Sequence, residues 1–207
     1  MVVCAYPDAA AAGLSILKRG GNAVDAAVAV QFALAVTFPE AGNIGGGGFM
    51  VYRGADGQVS ALDFREKAPA AASANMFLDA KGNVIPNMSL ATHSASGVPG
   101  SVDGMITAHQ KYGKLSWAEV IQPAIDLATK GFKITKNCAA DLNDSHADFK
   151  KLNPGKTYFT KDTPWKEGDL LVQADLAKTL TLIRDKGREG FYGGEVADDI
   201  VTKMKKG

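Results

Sequence analysis

An α+β fold is what the sequence predicts, and three stretches carry that expectation. Residues Ala23 to Val36 are almost uniformly apolar, interrupted only by Asp25 and Gln31, so they form a helix without a polar face that must be buried on most sides. Phe49 to Arg53 and Val59 to Arg65 are strand-like runs joined by Ala55-Asp56-Gly57, a turn sequence that tolerates positive φ. From residue 100 onward the pattern is mainly helical. The chain therefore divides into a buried helix over 22–37, a hairpin over 49–65 and a helical part over 100–207, read together as one domain spanning 1–207.

Composition narrows the classes of function. With 46% hydrophobic residues in a chain of 207, a core can be buried and disorder is excluded as the default state. Basic and acidic residues nearly cancel, 23 against 22, which excludes nucleic-acid or membrane-surface binding driven by bulk charge. The one basic run, Lys203, Lys205 and Lys206, reads as a solvated helix end whose cations sit at the negative pole of the dipole. The apolar helix is too short, and too polar at Asp25 and Gln31, to span a membrane. Neither Cys4 and Cys138 nor His93, His109 and His146 show metal-ligand spacing, and no cofactor motif is present. The two cysteines stand open between a disulfide and free thiols. Met1 is followed at once by Val2, Val3 and Cys4, without a charged start or a long apolar run, so no signal peptide is recognised.

Local signals place the elements in order. Asp8 after Pro7 is expected to cap a first helix running to Lys18, with Gly20 and Gly21 as its stop. Asn22 opens the buried helix, with Asp25 in its first turn, where the dipole favours a negative charge, and Pro39 closes the region. In the return strand, alternation puts Val59, Ala61, Asp63 and Arg65 on one face and Ser60, Leu62 and Phe64 on the other. Both faces carry apolar side chains, so a sheet covered on both sides is expected. Residues 67–89 are irregular, with a turn at Lys81-Gly82-Asn83, and Gly97-Val98-Pro99-Gly100 is a rigid bend before a helix over Val102 to Tyr112. Ser116 and Glu119 form a capping box for a helix that runs to Lys130 through a kink at Pro123 and stops at Gly131. A more polar helix is expected over Ala139 to Lys151, a loop over 153–168, a helix capped by Asp175 and ended by Gly187, and a last helix from Glu195. The last stretch, from Val201, reads as an interrupted helix, so both ends of the chain are expected to be internal to a longer protein.

Three motifs invite a chemical reading. The glycine run at 45–48 lacks the Lys-Ser/Thr ending of a phosphate loop and leads into a strand, so it offers no helix N-terminus to an anion; close backbone packing is its expected role. Thr92-His93-Ser94 sets a base beside hydroxyls, but neighbours in sequence rarely reach catalytic geometry, and a polar loop is the simpler reading. Arg65 ends a largely apolar strand. Its planar fork suits a carboxylate, while spacing alone favours pairing with Asp63 or Glu66.

Long strings of the chain resemble the γ-glutamyltranspeptidase family. They are Gly20-Gly-Asn-Ala-Val-Asp-Ala-Ala-Val-Ala29, Pro39-Glu-Ala-Gly-Asn-Ile-Gly-Gly-Gly-Gly-Phe-Met50, Leu62-Asp-Phe-Arg-Glu-Lys-Ala-Pro69 and Gly97-Val-Pro-Gly100. Shorter ones are Tyr112-Gly113, Trp117, Gln122-Pro-Ala-Ile125, Leu176-Ala-Lys-Thr-Leu180 and Gly190-Phe-Tyr-Gly193. The resemblance covers essentially the whole chain. It implies an N-terminal-nucleophile hydrolase with a four-layer αββα sandwich, of which this chain is the front part of the large subunit. It implies a precursor that cuts itself, exposing a small-subunit threonine that attacks the γ-glutamyl amide of glutathione or a related compound and passes the acyl group to water or an amino acid. It implies a periplasmic or secreted protein.

By the same resemblance Arg65 matches the arginine that grips the α-carboxylate of the glutamyl group, and it is the one site residue carried over. No catalytic residue is assigned here, because the Thr-Thr-His string that opens the small subunit does not occur. The isolated chain is thus expected to be inactive and, with half a sandwich uncovered, to self-associate. Two alternatives stand beside this reading: a cephalosporin- or glutaryl-acylase-like relative, and a binding module that kept the scaffold without the chemistry.

Overall fold

The structure, a computed structural model, describes residues 1–153, 155 and 157–206. Its centre is the helix foreseen as buried, α2 (Ala23–Thr37), flanked by α1 (Pro7–Lys18), α4 (Ser101–Tyr112) and α5 (Trp117–Lys130). A further helix, α8 (Ala174–Lys186), lies on the far side of α5. Helices α1 and α2 approach closely because they meet through small residues. Ala9, Ala12 and Gly13 face the contact, and a β-carbon on Gly13 would stand 2.5 Å from Val30 Cγ2. That contact explains a glycine inside a helix, where it otherwise costs about 1 kcal/mol relative to alanine. Across α2 and α5, Phe32 meets Trp117 edge to face at 5.7 Å, and Trp117 Nε1 donates to the Ile183 carbonyl of α8 at 3.0 Å. One aromatic side chain thereby ties three helices together.

Two buried polar groups hold this bundle in register. Asn22 caps α2 by accepting from Val24 N and Asp25 N, and the Asp25 carboxylate answers by accepting from Asn22 N at 2.9 Å. Asp25 is fully buried and does more than serve the helix dipole. It also accepts from the backbone amides of Lys114 and Leu115, at 3.0 and 3.2 Å, in the turn between α4 and α5. Gln173, 4% exposed, donates its amide to the Val36 carbonyl at 2.7 Å, closing the other end of α2 onto the start of α8.

The hairpin forms as expected from its turn, with Gly57 at φ +84°. Strand β1 (Phe49–Arg53) pairs antiparallel with β2 (Val59–Asp63), Phe49 opposite Asp63 and Arg53 opposite Val59. The regular strand ends at Asp63, two residues short of the predicted bound. Only one face is covered: Met50, Tyr52 and Leu62 lean on α4, with Tyr52 and Tyr112 rings 4.7 Å apart. The expected cover on both sides is absent among the described residues, since the other face leaves Phe49 66%, Val51 77% and Val59 63% exposed.

Several local expectations need correction. Tyr6, not Asp8, is the N-cap of α1, and Pro7 takes the first helical position, where its missing N–H loses nothing. Gln173, not Asp175, precedes α8, because its side chain is drawn to Val36 and Asp175 falls in the first turn. The single helix expected over 139–151 is two, α6 (Lys136–Asp144) and α7 (His146–Leu152), broken at Ser145. Helix α6 starts early because the Thr135 hydroxyl caps Cys138 N at 3.2 Å. Helix α5 runs continuously through Pro123; the Glu119 carbonyl that Pro123 cannot serve accepts from Arg19 Nη2 at 3.1 Å. Short elements went unforeseen: α3 (Met88–Ala91), a 3-10 turn at His93–Ala95, α9 (Glu189–Tyr192), and a two-residue ladder of β3 (Phe132–Lys133) with β4 (Leu170–Leu171). The last helix, α10 (Gly194–Met204), begins one residue before its predicted start. Of the predicted loop over 153–168, positions 154 and 156 lie outside the described residues; so does position 207 of the tail. Lys203, Lys205 and Lys206 are exposed, as a solvated helix end requires.

Asp25→Ala removes a fully buried carboxylate and leaves three backbone amides without their partner, so urea unfolding should show a loss of about 3 kcal/mol, against under about 0.5 kcal/mol for Asp8→Ala. Equal losses at the two positions would contradict the role given to Asp25.

Candidate carboxylate-binding cleft

Beyond β2 the chain does not fray; it is held at four points around Arg65. Phe64 N donates to the Gly48 carbonyl at 3.0 Å, which prolongs the ladder by one pair. Arg65 N donates to Asp63 Oδ1 at 3.0 Å, a local turn in which the carboxylate is spent on the backbone. Lys67 then pairs with Val98 of the rigid bend, through Lys67 N to Val98 O at 3.2 Å and Val98 N to Lys67 O at 2.7 Å.

Three backbones meet here without side chains between them. A β-carbon on Gly47 would lie 2.4 Å from Glu66 N, and one on Gly100 would lie 2.0 Å from the Phe64 carbonyl oxygen. Within the glycine run it is Gly47 that serves this close approach, while a β-carbon on Gly45 would meet nothing within 4 Å. The N-terminus of α4, the nearest anion-binding prospect, is already in use: the Gly46 carbonyl accepts from Gly100 N at 2.7 Å and Ser101 N at 3.0 Å.

The result is a cleft of about 630 Å³ walled by Arg65, Lys67, Pro99, Asp103, Arg188 and Tyr192, among others. Arg65 is exposed on this cleft. Among the described residues its guanidinium enters no ion pair within 4.0 Å. The pairing with Asp63 or Glu66 that spacing favoured is absent: Asp63 bonds the Arg65 amide instead, and Glu66 packs against Gly47 and Gly97. A guanidinium left unpaired beside a cavity of this size keeps its planar fork open to an anion.

The opposite wall comes from residues that sequence reasoning missed. Arg188 pairs with Asp103 and stacks over the Tyr192 ring at 4.8 Å. The Tyr192 hydroxyl donates to the Pro99 carbonyl at 2.9 Å and accepts from Asp103 N at 3.2 Å. Burial raises its pKa, with Arg188 opposing the rise, so the phenol stays protonated at neutral pH. These partners lie about ninety residues apart, beyond the reach of any local pattern.

Other candidates do not join the cleft. Thr92 bonds the Met88 carbonyl at 2.6 Å, Thr92 and His93 are exposed, and His93 makes no hydrogen bond to a hydroxyl among the described residues. Both cysteines are free thiols; Cys138 is buried, and burial pushes its pKa up, which leaves it a poor nucleophile. Among the described residues no three His, Cys, Asp or Glu side chains are placed to hold a metal, and no helix is long and apolar enough to cross a membrane.

Comparison with known proteins defines the class first. The architecture is that of the N-terminal-nucleophile hydrolases, whose αββα sandwich this chain shares in part. Helicobacter pylori gamma-glutamyltranspeptidase superposes with a TM-score of 0.96 at 49% identity, over 100% of this chain and 60% of that one. The Pseudomonas nitroreducens gamma-glutamyltranspeptidase complexed with L-DON superposes with a TM-score of 0.88 at 48% identity, over 100% of this chain and 61% of that one. The sequence profile described as Gamma-glutamyltranspeptidase matches residues 9–207, and the chain belongs to that family. The glutathione hydrolase proenzyme of Pseudomonas sp. (strain A14) is 53% identical over 100% of this chain and 36% of its own length; the Escherichia coli (strain K12) proenzyme is 47% identical over the same shares. The chain thus spans about a third of the curated relatives it matches.

Gly100→Ala drives a β-carbon against the Phe64 carbonyl, which is backbone and cannot swing away, so a loss of about 1–3 kcal/mol is expected by thermal or urea unfolding. Gly45→Ala, where a β-carbon meets nothing within 4 Å, is the control and should unfold within about 0.5 kcal/mol of the parent.

Proposed function

We propose that this chain is the front part of the large subunit of an enzyme that cleaves γ-glutamyl amides, glutathione among them, and transfers the γ-glutamyl group to water or an amino acid. The observation that carries the reading is the unpaired Arg65 guanidinium on the cleft, backed by family membership. Arg65 grips the α-carboxylate of the glutamyl group through its planar fork, which fixes the position of the γ-amide at the other end of that group. The attacking group is the threonine at the start of the small subunit, released by self-cleavage, with its own α-amine as the base. Backbone amides of that subunit stabilise the oxyanion. The full-length protein is exported.

The exposed apolar face of the hairpin, Phe49, Val51 and Val59, is the surface we assign to cover by the small subunit. A second reading has one observation behind it: cephalosporin acylase from Bacillus halodurans superposes with a TM-score of 0.83 at 30% identity. Glutaryl amides keep the terminal carboxylate and lack only the α-amine, so Arg65 suits both donors, and assaying both amides on the full-length protein separates the two.

In the full-length enzyme Arg65→Ala should raise the KM for γ-glutamyl-p-nitroanilide about a hundredfold and Arg65→Lys about tenfold, since lysine keeps the charge but loses the fork. An unchanged KM in Arg65→Ala ends the assignment. The isolated 207 residues should show no hydrolysis of the same substrate and a light-scattering mass that grows with concentration. Measurable turnover by the isolated chain, or a strict monomer, would contradict these two expectations in turn.

A further inference from the structure

We infer that Tyr192 is a positioning residue for the carboxylate-binding arginine: its hydroxyl locks the Pro99–Gly100 bend against the backbone of Phe64 and Arg65. The inference rests on the reading of Arg65 given above and extends it to a residue 127 positions further along the chain.

The need for such a lock comes from Gly100. This residue precedes α4 at the N-cap position, where a serine, threonine, asparagine or aspartate side chain would ordinarily accept from the amide two or three residues on. No side chain fits, because a β-carbon there would lie 2.0 Å from the Phe64 carbonyl oxygen and 3.2 Å from that of Arg65. The first turn of α4 is therefore left without a cap of its own. Gly46 O takes the amides of Gly100 and Ser101. The amide of Asp103 is taken by Tyr192, which reaches in from α9 at 3.2 Å and supplies the missing cap through space.

The same hydroxyl then donates to the Pro99 carbonyl at 2.9 Å. Both hydrogen-bonding capacities of the phenol are used on the two sides of one peptide bend, the donor on Pro99 and an acceptor site on Asp103. The far side of that bend is the surface on which Phe64 and Arg65 rest, and its preceding residue, Val98, is paired with Lys67. Arg65 thus stands between two anchored neighbours, and one of those anchors ends at Tyr192. The ring is itself held by Arg188, stacked at 4.8 Å and paired to Asp103, so the hydroxyl has little freedom to leave. A phenylalanine in this position keeps the ring and its packing and removes both hydrogen bonds.

The test is a double-mutant cycle on the full-length protein with γ-glutamyl-p-nitroanilide as donor. Tyr192→Phe should raise KM about five- to tenfold and leave kcat within about twofold, because it loosens a binding group and touches no reacting atom. In the Arg65→Ala background the same change should raise KM no further, since the group it positions is gone. Three results overturn the inference: an unchanged KM in Tyr192→Phe, an equal KM increase in both backgrounds, or a Tyr192→Phe protein that does not fold, which would make the hydroxyl a support for the whole domain. A normal KM in Arg65→Ala alone would instead remove the reading of Arg65 on which this one stands.

Discussion

Three strands of backbone press together in this domain where most proteins would place side chains. The segments around Gly47, Phe64–Glu66 and Gly100 approach so closely that a single β-carbon at Gly47 or Gly100 would collide with main-chain atoms. The consequence is rigidity at one point. The end of the hairpin cannot slide along the bend that follows, and Arg65 inherits a fixed place on the rim of a large cleft. On a loose loop, meeting an anion would order backbone and side chain together; here the backbone is already fixed and only the Arg65 side chain has freedom left to lose.

The helical part serves the same end from a distance. Asp25 bonds three backbone amides drawn from two parts of the chain, and thereby sets the turn from which α5 departs relative to α2. Gln173 does the corresponding work at the other end of α2. A buried carboxylate hydrogen-bonded to backbone donors, with His109 Nε2 of α4 3.6 Å away, is strongly dependent on their geometry, so the packing of α2 against α4 and α5 has little freedom. Helix α4 carries both the inner face of the hairpin and the bend at Gly100, and the order imposed at Asp25 reaches the cleft through it.

What could be read from the residues follows the range of the forces involved. Asn22, the Ser116–Glu119 capping box, the turn at Asp56-Gly57 and the stops at Gly131 and Gly187 all act within a few positions, and the structure has them where local chemistry puts them. Asp175 failed as a cap because the residue before α8 was claimed by a carbonyl 137 positions away. The break at Ser145 and the two-residue ladder of Phe132 with Leu171 are too short to leave a periodic signal. For Arg65 the residues alone favoured an ion pair with Asp63 or Glu66. The structure decides otherwise for a reason invisible in the spacing: the Asp63 carboxylate folds back onto the amide of Arg65. Tyr192, Asp103 and Arg188 could not have been grouped at all without coordinates.

We propose that the cleft selects donors by their α-carboxylate, a reading that family membership and the free guanidinium both support. The most direct measurement is the ratio of kcat/KM for γ-glutamyl-p-nitroanilide to that for 4-aminobutyryl-p-nitroanilide, which differs only in lacking that group. In the parent full-length enzyme the ratio should be about a hundred or more, and in Arg65→Ala it should fall to near unity. A ratio that Arg65→Ala leaves intact would place carboxylate recognition elsewhere and contradict the account.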